Sequence, residues 1–301
     1  MCEITNDQFE VLRCLVELKK RAENSFSFAE AGNLTQIDHS VICELLENGY
    51  LFDNYEITPK AIKHIAQFKV DNAIIMAAGK GTRFIPFSLK KPKCLAVVKG
   101  EVLLERQIRQ LKEAGIEDVI IVAGYLKEQL SYLVDKFGVK IIVNDDYQKK
   151  NTHSSLYYAR NYLKNSYILC ADIYYPESLF HEYEYHSLYS IEYLDDYSME
   201  DKDIITNRDG LIISASQHPN VNRWVSGYAF FDRYFSDRFK KRLEEIYEIE
   251  GTDHLYWEQI YAMNINELPM YLKQYGKGHI MEFDTLTEVI KFDLDFMINN
   301  P

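Results

Sequence analysis

The chain has 301 residues, 47% hydrophobic and 14% aromatic, enough for one large domain or two with substantial cores. Its net charge of -12 argues against broad attachment to nucleic acid or anionic membrane, so an anionic ligand needs a local basic cluster. No window approaches the roughly 20 apolar residues that span a bilayer, the N-terminus lacks a signal-peptide pattern, and five scattered cysteines form no C-x-x-C pair; a cytoplasmic protein with reduced thiols and no structural zinc is expected.

The first 70 residues read as a small helical unit. NDQFEVLRCLVELKKRA places Phe9, Leu12, Leu15 and Val16 at helical spacing behind a cap at Asn6 or Asp7. After a turn at 31–33, TQIDHSVICELLENGYL gives a second amphipathic helix, capped by Thr35 and stopped by Gly49. LFDNYEITPKAIKHIAQF then reads as a short strand, a turn at Asp53-Asn54, a second short strand and a closing helix. This order resembles a winged helix-turn-helix module over residues 1–69. Residues 1–70 hold seven Lys/Arg against eleven Asp/Glu, and the candidate recognition helix 35–49 has no Lys or Arg. DNA is therefore not expected as a partner, and packing or homo-oligomerisation is the expected role. Lys19, Lys20 and Arg21 form the one cluster that argues otherwise.

From residue 70 strands alternate with helices. NAIIMAAG, DVIIVAGY, KIIVND and SYILCADIYY read as buried strands, and LLERQIRQLKEAG, KEQLSYLVDKFG and SSLYYARNYL as helices. Continuous apolar strands between helices predict an α/β domain over 70–301, with a mostly parallel sheet covered on both faces. Residues 185–285 are more mixed. There SIEYL, LIISAS and WVSGYAFFD read as strands, SDRFKKRLEEIYE and HLYWEQIYAMNI as helices, and a substrate lid is expected from this part.

Residues 73–93, AIIMAAGKGTRFIPFSLKKPK, put two glycines one residue apart just after the first apolar run. Lys80, Arg83, Lys90, Lys91 and Lys93 follow without an intervening acid. Such a turn at the carboxyl end of a parallel strand can aim several backbone N–H groups at one anion. A dinucleotide loop would need glycine where Phe84 stands, and a P-loop would need a different order from Gly79-Lys80-Gly81-Thr82. Asp172 ends the apolar strand YILCA, where its carboxylate reaches the same edge of the sheet, although position alone fits a strand-end cap equally.

The remaining pattern, A-A-G-x-G-T-R followed by Pro92-Lys93, resembles the signature of nucleotide-sugar-type nucleotidyltransferases. Over 71–290 the chain is most similar to the bacterial CTP:phosphocholine cytidylyltransferases, through stretches such as KFGVKIIVNDDYQKKN, NSYILCADIYY and IMEFDTLTEV. The resemblance implies a Rossmann-like mixed sheet sandwiched by helices, and CMP transfer from CTP to phosphocholine with release of pyrophosphate. It also implies Mg2+, held by Asp172 and Asp284, with Glu282 able to substitute for the latter. Lys93, Arg83 and Asp172 are the expected catalytic residues. The triphosphate falls to Gly79, Lys80, Gly81, Thr82, Arg83 and Lys93, with Lys80 equally readable as a solvated loop residue. Cytosine falls near Ala77, Ala78, Gly124 and Tyr125, with Ser154 or Ser155 close by or acting as a helix cap. A choline head group wants aromatic faces and a carboxylate, for which Tyr174, Glu192, Trp224, Tyr256 and Trp257 are the candidates. Ile173 stands where asparagine is common in the family, and SMEDKDI (198–204) lacks an expected tryptophan. Phosphoethanolamine, 2-aminoethylphosphonate or a sugar phosphate are alternative acceptors. A regulator that only senses a nucleotide is the reading from another class, and it has no need of the set Arg83, Lys93, Asp172 and Asp284.

Overall fold

The computed structural model describes residues 4–21, 39–193, 204–215 and 224–300. The chain divides into two compact units, one of residues 1–69 with 182–185 and one of 70–181 with 186–301. The inclusion of 182–185 in the first unit has no counterpart in the sequence reading.

In the first unit, α1 (Asn6–Arg21), α2 (His39–Glu47) and α3 (Pro59–Ile65) enclose a core of Phe9, Leu12, Leu45, Ala61 and Ile65. Phe9, Leu12, Leu15 and Val16 are buried, as their helical spacing predicts. Thr58 caps α3 by accepting from the Ala61 N–H, and Pro59 occupies the first turn, where a missing N–H costs nothing. Between α2 and α3 a single antiparallel bridge, Leu51 with Ile57, stands in place of the two expected strands. The returning segment completes this core. Tyr183 is buried in it, Glu182 pairs with Lys20 and Lys69, and the Tyr185 hydroxyl donates to the Ile4 carbonyl. The expected turn at 31–33 and the Thr35 cap lie outside the described residues.

The second unit starts with β1 (Asn72–Ala77). A small antiparallel pair, β2 (Val97–Val98) and β3 (Glu101–Val102), leads into α4 (Leu103–Glu113). Next come β4 (Val119–Ala123), α5 (Tyr132–Phe137), β5 (Lys140–Val143), α6 (Thr152–Ala159) and β6 (Ser166–Cys170). The later half holds β7 (Ile173–Tyr174), β8 (Leu188–Tyr193), β9 (Ile204–Thr206), β10 (Ile212–Ala215) and β11 (Trp224–Phe231). After these run α7 (Arg233–Tyr247), α8 (Trp257–Met263), β12 (Tyr271–Tyr275), β13 (Met281–Glu282), α9 (Leu286–Phe292) and α10 (Phe296–Asn299).

Seven strands form one sheet in the order β12-β8-β11-β6-β1-β4-β5. All neighbours pair in parallel except β11, which runs antiparallel to both β6 and β8. Alternation along each strand supplies both faces. Ala73, Ile75, Val119 and Ile121 pack with Leu104, Ile108 and Leu111 of α4 and Leu133 of α5. Ile74, Met76, Ile120 and Val122 pack with Leu156 of α6, Phe235 and Phe239 of α7 and Trp257 of α8. A smaller cluster joins Phe84 to Val289 and Phe296 of the two last helices. No helix among the described residues is long and apolar enough to cross a membrane.

Two expected elements are interrupted. The helix read over 127–138 splits into a 3-10 turn at Lys127–Leu130 and α5, stopped at Gly138 with φ of 68°. The strand read over 166–175 ends at Cys170, and β7 resumes beyond Asp172. That break lies in the candidate site.

Candidate active site

A cavity of about 310 Å3 opens at the carboxyl ends of β1, β5 and β6. This edge of an open parallel sheet is where such folds bind ligands. One wall is the loop after β1. Gly81 turns it with φ of 59°, and a Cβ there would stand 3.0 Å from the Lys93 Cβ, so both the backbone angle and the space favour glycine. The loop is propped from behind by Phe84, fully buried against α9 and α10. Lys93 Nζ sits 4.8 Å from the centre of the Phe84 ring.

Asp172 occupies the break between β6 and β7. Gln107 of α4 creates that presentation: its buried Nε2 donates to the Cys170 carbonyl at 2.9 Å and to the Ile173 carbonyl at 2.7 Å. Arg106 and Gln110 add bonds to the Tyr175 carbonyl. Asp284 comes from 112 positions further along the chain, and a two-residue ladder brings it in. Glu282 of β13 pairs with Ile173 of β7, which carries the residues after Glu282 back beside Asp172.

Four of the charged side chains that line the cavity meet in two pairs. Lys93 Nζ lies 2.8 Å from Asp172 Oδ2, and Arg83 lies 2.7 Å from Asp284 Oδ1. Glu282 keeps an exposed edge, yet the protein packed around its carboxyl, and then the charges of Asp172 and Asp284, push its pKa up to about 8. Crowded carboxylates of this kind are relieved by a cation. Two cysteines also line the cavity. Burial and then Asp172 push the Cys94 thiol up to about 12 and raise Cys170 likewise, so both stay protonated. Among the described residues no three His, Cys, Asp or Glu side chains converge as a preformed metal cage.

The opposite wall is built by the end of β5, the loop after it and the start of α6, with the end of β4 packed behind. Gly124 packs so tightly that a Cβ would fall 2.8 Å from both the Ala78 carbonyl oxygen and the Tyr147 ring. Tyr125 N–H donates to the Ala78 carbonyl at 3.0 Å, tying this wall to the loop. Lys80 Nζ donates to Gln148 Oε1 at 3.3 Å across the rim.

Of the residues named from sequence, Ala77, Ala78, Gly79, Gly81, Thr82, Arg83, Lys93, Ser154, Ser155, Asp172 and Asp284 line the cavity. Lys80, Gly124 and Tyr125 lie next to it, outside the lining set. Tyr174, Glu192, Tyr256 and Trp257, expected at the acceptor, are not among its lining residues. Tyr174 is buried beside Phe283 and Phe292, under the Arg106 guanidinium. Glu192, 4% exposed, spends both carboxylate oxygens on the N–H groups of Gly278, His279 and Ile280. Trp257, 3% exposed, is core between α7 and the sheet, and Tyr256, 47% exposed, sits at the start of α8. Trp224 begins β11, and 198–203 fall outside the described residues. Aromatic content alone does not separate core from site in a chain with 23 tyrosines. Sequence reasoning missed Asn144, Tyr147, Lys150, Asn151 and Thr152, which the lining includes. Their signal was the polar run NDDYQKKNT between a strand and a helix at the ligand edge of the sheet.

The model of the MobA-like NTP transferase domain matches residues 73–182. The chain is 34% identical to a choline-phosphate cytidylyltransferase of Streptococcus pneumoniae, over 73% of its own length and 96% of the relative's. This chain belongs to the choline-phosphate cytidylyltransferase-like NTP transferases. A solved structure of CTP:phosphocholine cytidylyltransferase from Streptococcus pneumoniae superposes on this nucleotidyltransferase with a TM-score of 0.65 and 30% identity, covering 75% of the chain and 98% of its counterpart. The enzyme is also 30% identical, over 74% of its length and 92% of the relative's, to a 2-aminoethylphosphonate cytidylyltransferase of Lancefieldella rimae.

Proposed function

We propose that the enzyme transfers CMP from CTP to phosphocholine, giving CDP-choline and pyrophosphate. The observation that carries this reading is the cavity itself: a glycine-turned loop faces two cation–carboxylate pairs, Lys93–Asp172 and Arg83–Asp284, at the ligand edge of the sheet. A phosphocholine oxygen attacks the α-phosphorus of CTP, the bond to the oxygen bridging to the β-phosphorus breaks, and pyrophosphate leaves. The attacking phosphate is already ionised near neutral pH, so no general base is needed. Catalysis then consists of positioning and charge neutralisation. The loop amides and Arg83 hold the triphosphate, and Lys93 meets the charge that develops on the phosphoryl oxygens.

Asp172 and Asp284 would hold magnesium. Their hard oxygen donors, and the surplus negative charge expressed at Glu282, fit a cation that takes one or two carboxylates and completes its shell with phosphate oxygens and water. When bound, that ion neutralises the triphosphate and aligns the leaving pyrophosphate. Release of pyrophosphate from CTP and phosphocholine with magnesium tests the reaction; no release from the folded protein, with any phospho-acceptor, contradicts it.

A second acceptor, 2-aminoethylphosphonate, draws support from the relative that acts on it and from the lining, where Tyr147 is the one aromatic side chain among the described residues. Rates with the two acceptors at matched concentration decide between them. We also read the first unit as a winged helix-turn-helix module, supported by three helices among its described residues and the Leu51–Ile57 bridge.

A further inference from the structure

The segment between β1 and β2, residues 78–96, carries Arg83 and Lys93 on little regular structure. It holds three single 3-10 turns, at Thr82–Phe84, Phe87–Leu89 and Lys93–Leu95. A loop of that length does not fix its own shape, so packing against other elements must do it. The residues in and around α10 brace it at both ends. Phe296, 1% exposed, shares a core cluster with Phe84, and its ring centre lies 6.0 Å from that of Phe87. At the far end stands Val97, four residues after Lys93. Asn300 Oδ1 accepts the Val97 N–H at 2.9 Å, and Asn300 Nδ2 donates to the Val97 carbonyl at 2.8 Å and the Phe296 carbonyl at 2.9 Å. A backbone amide only donates and a carbonyl only accepts, so these partners fix which way the buried carboxamide points. The buried Asp293 carboxylate accepts the Lys99 N–H at 2.6 Å, where the turn from β2 to β3 takes a φ of 50°.

We infer that Asn300 and Asp293 are positioning residues that, with Phe296, brace this loop in the shape that presents Arg83 and Lys93 to the triphosphate. None of the three lines the cavity, so they act only through the loop. A loop without its brace spends part of its time in other shapes, and the triphosphate must order it on binding. The apparent affinity then falls by the fraction of time the loop is competent, whereas the loaded loop is held by its ligand and turns over as before. The inference rests on the cytidylyltransferase reading and adds to it the element that shapes the loop.

The test combines pyrophosphate-release kinetics at varied CTP with calorimetric Kd values for CTP and magnesium, all on the full chain. The variants are Asn300→Ala, Asp293→Asn and, as a control, Met270→Ala. In Asp293→Asn the one remaining carbonyl oxygen can take the Lys99 N–H or the Asp295 N–H, not both. Met270 is fully buried just before the edge strand β12, at the amino end of the sheet. Asn300→Ala is expected to raise the KM and the Kd for CTP about tenfold, with kcat at saturating CTP within about twofold of the unaltered protein. This is the opposite split from the loss of a group that meets the reacting phosphorus. Asp293→Asn should shift both constants in the same direction, which keeps the inference testable if Asn300→Ala does not fold. Met270→Ala should lower the thermal midpoint and leave the KM for CTP unchanged. A KM for CTP unmoved in both brace variants, a fall in kcat alone, or an equal rise of KM in Met270→Ala overturns the inference and leaves the transferase reading standing. No CTP binding by the unaltered protein overturns both.

Discussion

Single residues carry most of the proposed chemistry, and Lys93 is the sharpest case. It contacts Asp172 at one end of the cavity and fills the space beside Gly81 at the other. Lys93→Ala should lower kcat by about two to three orders of magnitude, because a preorganised charge at the reacting phosphorus is lost. The circular dichroism melt should stay close to that of the unaltered protein, and a near-normal kcat would remove Lys93 from the mechanism. Gly124 tests the opposite wall. An added methyl would press on the Ala78 carbonyl and the Tyr147 ring, so Gly124→Ala should cost about 1–3 kcal/mol in denaturant unfolding and raise the KM for CTP. Asp172 was legible in the sequence because it ends an apolar run at the sheet edge, and Arg83 and Lys93 because they complete the signature that the chain resembles. Asn144 and Tyr147 were not, since their place depends on how β4 and β5 come into register. The surroundings of Glu192 were not legible for a related reason: the amides that its carboxylate accepts from lie more than 80 residues away.

At the scale of elements, α4 works as a clamp on the turn that carries Asp172. Its apolar stripe, Leu104, Ile108 and Leu111, seats it on the sheet, and this fixes Gln107 over the break at Asp172. Gln107→Leu should leave two carbonyls without their donor, cost about 2 kcal/mol in unfolding free energy and lower kcat about tenfold as Asp172 shifts. Unchanged kcat in a destabilised variant would show that the clamp does not position Asp172. Glu258 on α8 gives a pH signature. Burial pushes its pKa up to about 7, and Oε2 has no hydrogen-bond partner. An acid raised above its unfolded value, near 4.3, favours the protonated folded state. Its contribution is full below that value and is lost as pH rises towards 7, by up to about 3 kcal/mol. The thermal midpoint of Glu258→Gln should therefore fall less over this range than that of the unaltered protein; parallel profiles would contradict the assignment. Strands with unbroken apolar runs, β1 and β4, were readable from the sequence. The edge strand β12 was not, because YLKQY alternates half-buried residues between faces and carries no run.

For the whole molecule, the sheet order explains why the residues of the candidate site come from distant segments. The topology sets the ends of β1 and β6 side by side, and the β7–β13 ladder returns Asp284 to them. The fold class was legible because strand and helix periods alternate from residue 70. The four-residue return into the first unit was not, since HEYEYHS shows only a Glu–Tyr alternation and nothing in it names Lys20 and Lys69, its partners far earlier in the chain. Deleting 1–69 should leave Tyr183 without its core and Glu182 without Lys20 and Lys69, so residues 70–301 alone should melt at a lower temperature than the full chain. An equal midpoint would show that 182–185 need no partner. The most direct measurement of the central claim is a crystal structure of the full chain grown with CTP and magnesium. The account predicts triphosphate density along Gly79–Arg83 beside Lys93, with the ion between Asp172 and Asp284. A triphosphate bound elsewhere, or the same cavity closed by its own side chains in the presence of saturating CTP, would contradict it.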